Sequence, residues 1–404
     1  MTLGKNILNA YETNSSLSNN QLYDYLASAG HIHSDDLLGT QPVGCSKKFH
    51  NVLKRKIRWQ QQTLKAMGAI ESTGKRGEWR LSQKVDDSKL PLISEGKVLL
   101  AYATDLGMAL WGSCQSVFAH SMEENLISLV LTSPPYPLKR PRAYGNVAIH
   151  EYVDWLCTAI EPLIRNLKPG ASICLNLGND VFVPGTPARS TYAERLVIAL
   201  EDRFGLSKMD MIPWINPCKP PGPMQWASRT RQQLNVGWEP IYWFTNDPKR
   251  CMSNNKRVLE PHSEAHKVFV ENGGDRRPRV NSDGAYYIKN GAYALPTAGK
   301  IPKNVIQLTH NCADQRQYKK SARSMGLNAH GAAYPIALAE KLIKFLSAEE
   351  DLIVDPFAGS NTTGKAAEKL GRRWIATDIV YDYVLGSAMR FLDKPGFHLN
   401  RSFL

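Results

Sequence analysis

Leu352-Ile353-Val354-Asp355-Pro356-Phe357-Ala358-Gly359-Ser360-Asn361-Thr362-Thr363-Gly364 is an apolar run that ends in an acid, a proline and a glycine-bearing turn. A short apolar run of this kind reads as a buried strand, and the turn opens a helical stretch, Lys365 to Leu370. A strand feeding a glycine turn and then a helix is the unit of an open α/β sheet. Such sheets bind ligands beyond the carboxyl ends of their strands. Gly359 and Gly364 allow the backbone to approach a ligand closely. Asp355 can hold a cationic amino group or a neighbouring backbone donor. The next apolar run, Trp374 to Thr377, ends at Asp378, 19 residues past Gly359. An acid at that place can accept the hydroxyls of a ribose, as in dinucleotide folds. Neither GxGxxG nor a Walker lysine–serine pair occurs, so NAD and ATP fit poorly.

Working outward, Val98 to Tyr102, Ile127 to Leu131, Ala171 to Leu177 and Ile241 to Phe244 read as further strands. Tyr152 to Leu167 and Ile336 to Leu346 read as helices between them. Buried runs alternating with helices predict an α/β sheet. Directly after Ile127 to Leu131 comes Thr132-Ser133-Pro134-Pro135-Tyr136. Two prolines fix the backbone and remove two donors, while their carbonyls stay free to accept. A serine hydroxyl, a rigid proline carbonyl and the face of Tyr136 together suit an exocyclic amine on a base. Two acceptors holding the amine protons localise the nitrogen lone pair for attack on a methyl group. The tyrosine face would stack on a base flipped out of a helix.

The chain has 404 residues, enough for two to three domains. Its formal net charge of +13 favours a polyanionic partner. Between Lys219 and Arg323, 18 Lys and Arg face 8 Asp and Glu, so this Pro-, Gly- and Asn-rich stretch supplies +10 of that charge. An irregular basic segment on a rigid frame suits nucleic acid, although a tether without a target has a similar composition. Arg276, Arg277 and Arg279 are its densest cluster. The first 90 residues read as a small helical module: a helix over Leu17 to Leu26 ended by Gly30, and a basic helix over Ser46 to Met67 that includes Lys54 and Arg55. A hairpin follows around Gly74-Lys75-Arg76-Gly77. Helices followed by a basic hairpin suggest a winged helix that grips DNA, and a solvated charge run would look much the same. Lys84 to Pro91 reads as a linker. Seven cysteines without a CxxC argue against a disulfide framework and a zinc ribbon, and no metal is expected. No apolar run is long enough to span a bilayer and no signal peptide is evident, which points to the cytoplasm in association with the nucleoid.

The motifs TSPPY and DPFAGSNTTG, in that order, resemble those of β-class amino-group DNA methyltransferases. Serine before Pro-Pro-Tyr resembles the N4-cytosine branch. Lys139 to Asn146 and Asn328-Ala329-His330-Gly331-Ala332-Ala333-Tyr334-Pro335 are similar to PvuII-type modification enzymes. The resemblance covers about residues 95 to 393 and leaves the first 90 outside. It implies a class I, Rossmann-like fold that uses S-adenosylmethionine: a mostly parallel sheet of seven strands with one antiparallel. It implies that Asp355, Phe357, Gly359, Asn361 and Thr362 line the cofactor site and that Asp378 binds the ribose. His330 and Pro335 would pack over the methionine end, and Asp105 would lie near the adenine. The implied domains are a winged-helix-like module (1–90), a catalytic part (95–215), a target-recognition region (216–325) and a cofactor-binding part (326–404). The expected partner is double-stranded DNA. A cognate restriction endonuclease, and the choice between monomer and homodimer, stay open.

Four rivals exist. N6-adenine methylation uses the same amine chemistry, and so would RNA methylation. A DNA-binding regulator with a dead catalytic domain would share the basic N-terminus. A 5-methylcytosine enzyme needs a cysteine nucleophile, and Pro217-Cys218 is present; its surroundings and the motif order do not fit that class.

Overall fold

The computed structural model describes residues 3–43, 48–66, 69–82, 92–94, 96–119, 126–137, 147–281, 284 and 286–400. The Lys84 to Pro91 linker and the Lys139 to Asn146 stretch lie outside them.

In chain order the first module contains α1 (Leu3–Thr13), β1 (Leu17–Ser18), α2 (Asn19–Ser28), β2 (Gln41–Val43), β3 (Lys48–His50), α3 (Val52–Ala66), β4 (Ile70–Ser72) and β5 (Glu78–Leu81). The first expected helix begins two residues late. Ser18 caps it through a reciprocal capping box with Gln21, and Leu17 and Ser18 pair instead with Trp79 and Glu78. The basic helix begins at Val52 because residues 48–50 form a strand. The expected hairpin is present, with Gly74 and Gly77 at φ 94 and 77 and with β1 added on its β5 side. Ile7, Tyr11, Leu22, Leu26, Ile57, Leu64, Ile70 and Trp79 form this module's own core.

The larger part comprises β6 (Val98–Ala103), β7 (Gly107–Gly112), α4 (Cys114–Phe118), β8 (Ile127–Thr132), α5 (Tyr152–Arg165), β9 (Leu167–Asn176), α6 (Tyr192–Phe204), β10 (Ser207–Ile215) and β11 (Trp238–Thr245). It continues with α7 (Glu264–Glu271), β12 (Arg279–Asn281), β13 (Tyr286–Ile288), β14 (Ile306–Gln307), α8 (Ala313–Ser324) and α9 (Ile336–Leu346). It closes with β15 (Leu352–Asp355), α10 (Thr362–Lys369), β16 (Arg373–Asp378), α11 (Tyr381–Ala388) and β17 (His398–Leu399). One ten-stranded sheet runs β14-β10-β11-β9-β8-β15-β16-β7-β6-β17. Its seven inner strands, β10 through β7 in that order, are parallel except for β11, which opposes both neighbours. This is the expected frame, extended at one edge by β14 and at the other by β6 and β17.

Buried residues of β8 alternate between the two faces. Leu129 and Leu131 pack with Leu338, Leu342, Ala366 and Val384 of α9, α10 and α11. Ile127 and Val130 pack with Leu156, Ile160 and Leu196 of α5 and α6. A sheet covered on both faces has apolar strands throughout, which is why its central strands read as continuous apolar runs. The basic stretch at 216–325 is not one insertion. Residues 238–245 cross the sheet as β11 and divide the stretch in two.

Candidate active site

Strands β8, β15 and β16 lie side by side and parallel, so their carboxyl ends, Thr132, Asp355 and Asp378, lie along one edge. The two sequence motifs meet there. Thr132 Oγ1 donates to Asp355 Oδ1 at 2.7 Å across 223 residues of chain. Asp355 Oδ2 accepts from Thr363 Oγ1, and Oδ1 also accepts from Phe357 N at 3.2 Å. Asp355 is buried; burial pushes its carboxyl up to about 6, against the pull of these hydrogen bonds.

A cavity of about 360 Å³ opens at this edge, within the range of small-molecule sites. Ser133 and Pro135 line it from the first motif, Pro356 and Phe357 from the second, Asp378 and Ile379 from the end of β16, and His330 from the segment before α9. Asp378 receives Gly359 N at 2.7 Å and Val380 N at 2.9 Å. Burial pushes its carboxyl up to about 6, opposed by those two backbone donors. Gly359 has φ 50, and a Cβ there would stand 2.9 Å from His330 Nδ1, so only glycine suits both the turn and the neighbour. His330 stacks edge-on against Tyr383, which also lines the cavity.

Three expected cofactor residues stand behind this wall and do not line it. Asp355 is engaged as described. Asn361 sits at φ 52, caps α10 through Gly364 N and donates to Tyr102 OH at 2.8 Å. Thr362 accepts from Gln315 Nε2 at 2.8 Å. These polar groups are consumed in shaping the turn. Asp105 is a correction of a different kind. It precedes Gly107, which pairs with Trp374 at the start of β16, whereas Asp378 pairs with Trp111. Asp105 is therefore at the amino ends of the strands, roughly 15 Å or more from Asp378 at about 3.3 Å per residue. Its exposed side chain packs near Gly396 instead. Pro335 serves as the N-cap residue of α9.

At the Ser-Pro-Pro-Tyr corner, Ser133 Oγ lies 2.9 Å from Tyr136 OH. That hydroxyl also reaches Asn176 Oδ1 at 3.2 Å and Glu239 Oε2 at 3.4 Å. Lys219 pairs with Glu239 Oε1 at 2.7 Å. The Tyr136 ring packs on Gly178, where a Cβ would come within 2.8 Å of it. Burial, and then the charge of Glu239, hold the hydroxyl well above the usual tyrosine range. Pro134 is buried beside this corner.

Several residues of the site were missed by sequence reasoning. Ser113, Cys114 and Gln115 line the cavity just after β7, an unread strand, and Trp155 meets Phe357 with ring centroids 5.6 Å apart. The Cys114 thiol donates to Ala159 O at 3.4 Å, and burial pushes it up to about 12. Glu239 stands among apolar residues in a strand and gave no signal of its own.

The basic candidates lie elsewhere. Lys54 and Arg55 are on α3, with Lys54 Nζ 5.5 Å from the centre of the Tyr23 ring. Lys75 and Arg76 are exposed at the β4–β5 tip. Arg276, Arg277 and Arg279 are exposed at and before β12; Arg279 pairs with Asp275 at 2.6 Å, and Arg276 Nε donates to Asn272 O. Cys218 is exposed. Among the described residues, no cluster of His, Cys, Asp or Glu could hold a metal ion, and no helix is long and apolar enough to cross a membrane.

Comparison with known proteins gives concordant results. The type II methyltransferase M.PvuII of Proteus hauseri is 35% identical over 297 residues, 73% of this chain and 86% of that protein. M.ScaI of Streptomyces caespitosus is 25% identical over 264 residues, 65% of this chain and 74% of the relative. The solved structure of PvuII DNA methyltransferase (cytosine-N4-specific) superposes with a TM-score of 0.57 and 32% identity, covering 72% of this chain and 88% of that one. A family model described as DNA methylase matches residues 127–389, a span that runs from the first residue of β8 to just past α11, and the chain belongs to that family.

Proposed function

We propose that the chain transfers a methyl group from S-adenosylmethionine to the N4 amine of cytosine in duplex DNA. The observation that carries this reading is the shared cavity: Ser133 and Pro135 border the same space as Phe357 and Asp378. A serine before Pro-Pro-Tyr, and 35% identity to M.PvuII, whose solved structure is named cytosine-N4-specific, favour cytosine over adenine.

The cavity suits such a donor. A half-buried carboxylate at a strand end, beside Phe357, Trp155 and Ile379, matches ribose hydroxyls next to an adenine ring. S-adenosylmethionine supplies, when bound, an electrophilic methyl on a sulfonium. Asp378 accepts the ribose hydroxyls, Phe357 and Ile379 wall the adenine, and His330 and Pro335 belong to the segment over the methionine end. Gly359 keeps its turn close, while Asp355, Asn361 and Thr362 brace that turn from behind. Tyr136 stacks on the flipped base. Ser133 Oγ and the Pro134 carbonyl accept the two amine protons, which leaves the nitrogen lone pair directed at the methyl carbon. The new N–C bond forms as the C–S bond breaks, and the extra proton passes from nitrogen to water.

Residues 1–90 serve as a DNA-gripping module. Their order of helix, strand, helix, strand pair, helix and hairpin, with Lys75 and Arg76 at the tip of the last hairpin, supports the winged-helix reading. The exposed arginines 276, 277 and 279 belong to the region that reads the target. A cognate restriction endonuclease would share the same recognition site. Digesting DNA methylated by the purified chain to nucleosides and weighing them tests the proposal. N4-methylcytosine is expected; N6-methyladenine would reassign the base, and cofactor binding without any transfer would favour a regulator.

A further inference from the structure

The Tyr136 hydroxyl has one proton and three oxygens around it: Ser133 Oγ at 2.9 Å, Asn176 Oδ1 at 3.2 Å and Glu239 Oε2 at 3.4 Å. Donor and acceptor counting fixes where that proton goes. Glu239 is ion-paired to Lys219 through its other oxygen, and an ionised carboxylate can only accept. Asn176 turns its amide nitrogen toward the Pro240 carbonyl at 3.4 Å, and a carbonyl can only accept, so the asparagine oxygen faces the tyrosine. Both neighbours thus require the tyrosine proton. Ser133 can then meet the tyrosine oxygen only as a donor. Its own proton points away from the cavity it lines, and its lone pairs are left for a substrate.

The opposite polarity would be harmful. A tyrosine donating to Ser133 would leave the serine proton free to swing toward the target amine, whose two N–H groups are themselves donors. The fold holds the arrangement firmly. Asn176 ends β9, Glu239 is the second residue of the reversed strand β11, and Gly178 leaves space for the tyrosine ring. Burial keeps the tyrosine hydroxyl protonated, so it has a proton to give.

We infer that Glu239 and Asn176 are positioning residues that fix Ser133 as a hydrogen-bond acceptor for the target amine by jointly taking the hydroxyl proton of Tyr136. The inference rests on the role given to Ser133 above.

The test is a mutant cycle on the full chain, with plasmid DNA and tritiated S-adenosylmethionine. Glu239→Gln preserves shape and offers Lys219 an oxygen, but turns an amide donor toward the tyrosine. Asn176→Leu removes the second acceptor. Together they should lower kcat on the order of tenfold while KM for DNA and cofactor stays the same. The single variants should each do less, because either acceptor can substitute for the other. In a Tyr136→Phe background the pair should have no further effect, since there is no tyrosine proton left to misdirect. Equal loss in the tyrosine and phenylalanine backgrounds, or no loss in the tyrosine background, overturns the inference. If Asn176→Leu fails to fold, Asn176→Ala combined with Glu239→Gln completes the same cycle, and the same two results decide it. A wild-type chain that transfers no methyl group refutes the proposed function; an active wild type with additive losses refutes this inference alone.

Discussion

Replacing Thr132 with Val removes one hydroxyl from the interior and keeps the shape of the side chain. Thr132 is fully buried, and its bond to Asp355 joins the strand before the Ser-Pro-Pro-Tyr corner to the strand before the glycine turn. A hydrogen bond to a buried carboxylate is worth about 1.5–3 kcal/mol. That value applies only while the carboxylate is charged. Burial raises Asp355 from 3.8 to about 6, and the Thr132 hydroxyl is one of the groups that pull it back down. In the valine variant Asp355 titrates higher still, because a group that pulls it down is gone, so the loss is felt in full only well above pH 6. As pH falls through 6 the native carboxyl takes up a proton, the bond to its charged form stops counting, and the loss shrinks. Thermal unfolding followed by circular dichroism should show Tm lowered by roughly 3–8 °C at pH 8 and by clearly less at pH 5. Equal shifts at both pH values, or a larger one at pH 5, would mean that the latch does not depend on an ionised Asp355. The reasoning from burial and charge would then be wrong.

Ser133→Ala should lower kcat on the order of a hundredfold while the dissociation constant for S-adenosylmethionine, measured by calorimetry, stays the same. Asp378→Asn should weaken cofactor binding at pH 8, and the difference from wild type should narrow below pH 6, where the native Asp378 carboxyl is itself protonated; titrations at the two pH values check both parts. Arg276, Arg277 and Arg279 changed together to Glu should weaken DNA binding and reduce the slope of log K against log salt by about 0.9 for each phosphate no longer neutralised. Cys218→Ala should leave turnover near wild type; a covalent DNA adduct abolished by this change would restore the 5-methylcytosine reading.

The frame of the fold was legible because a sheet covered on both faces writes its central strands as unbroken apolar runs. The runs Ile127 to Leu131, Leu352 to Val354 and Trp374 to Thr377 were visible this way, each within a residue of the strand it forms, and their ends marked the edge where the site lies. Strand β7 was harder: glycines bound its apolar run and Met108 in it is exposed, so its ending beside Ser113 went unread and with it one wall of the cavity. Within the glycine turn, sequence shows which residues are polar but not which way they face. Asp355, Asn361 and Thr362 point back into the scaffold, whereas Phe357 and Asp378 face the cavity. Asp105 was misplaced because a motif position carries no information about which end of a strand it occupies; the register of β7 with β16 supplies it. Glu239 and Asn176 belong to neighbouring strands that pair only after the chain has passed through β10 and reversed into β11. Their approach to Tyr136 is a property of the sheet and has no local signature.

The buried thiol of Cys114 bears on chemical self-protection. In the proposed reaction the cavity holds a potent alkylating agent, and a thiolate is a far better nucleophile than a base amine. A charged sulfur in that wall would accept the methyl itself and silence the enzyme after one encounter. Cys114 avoids this fate by being denied its anion: held at about 12 by burial and committed to the Ala159 carbonyl, it contributes bulk and polarisability without reactivity. The same interior that confines the methyl donor thereby inactivates a neighbouring sulfur that could consume it.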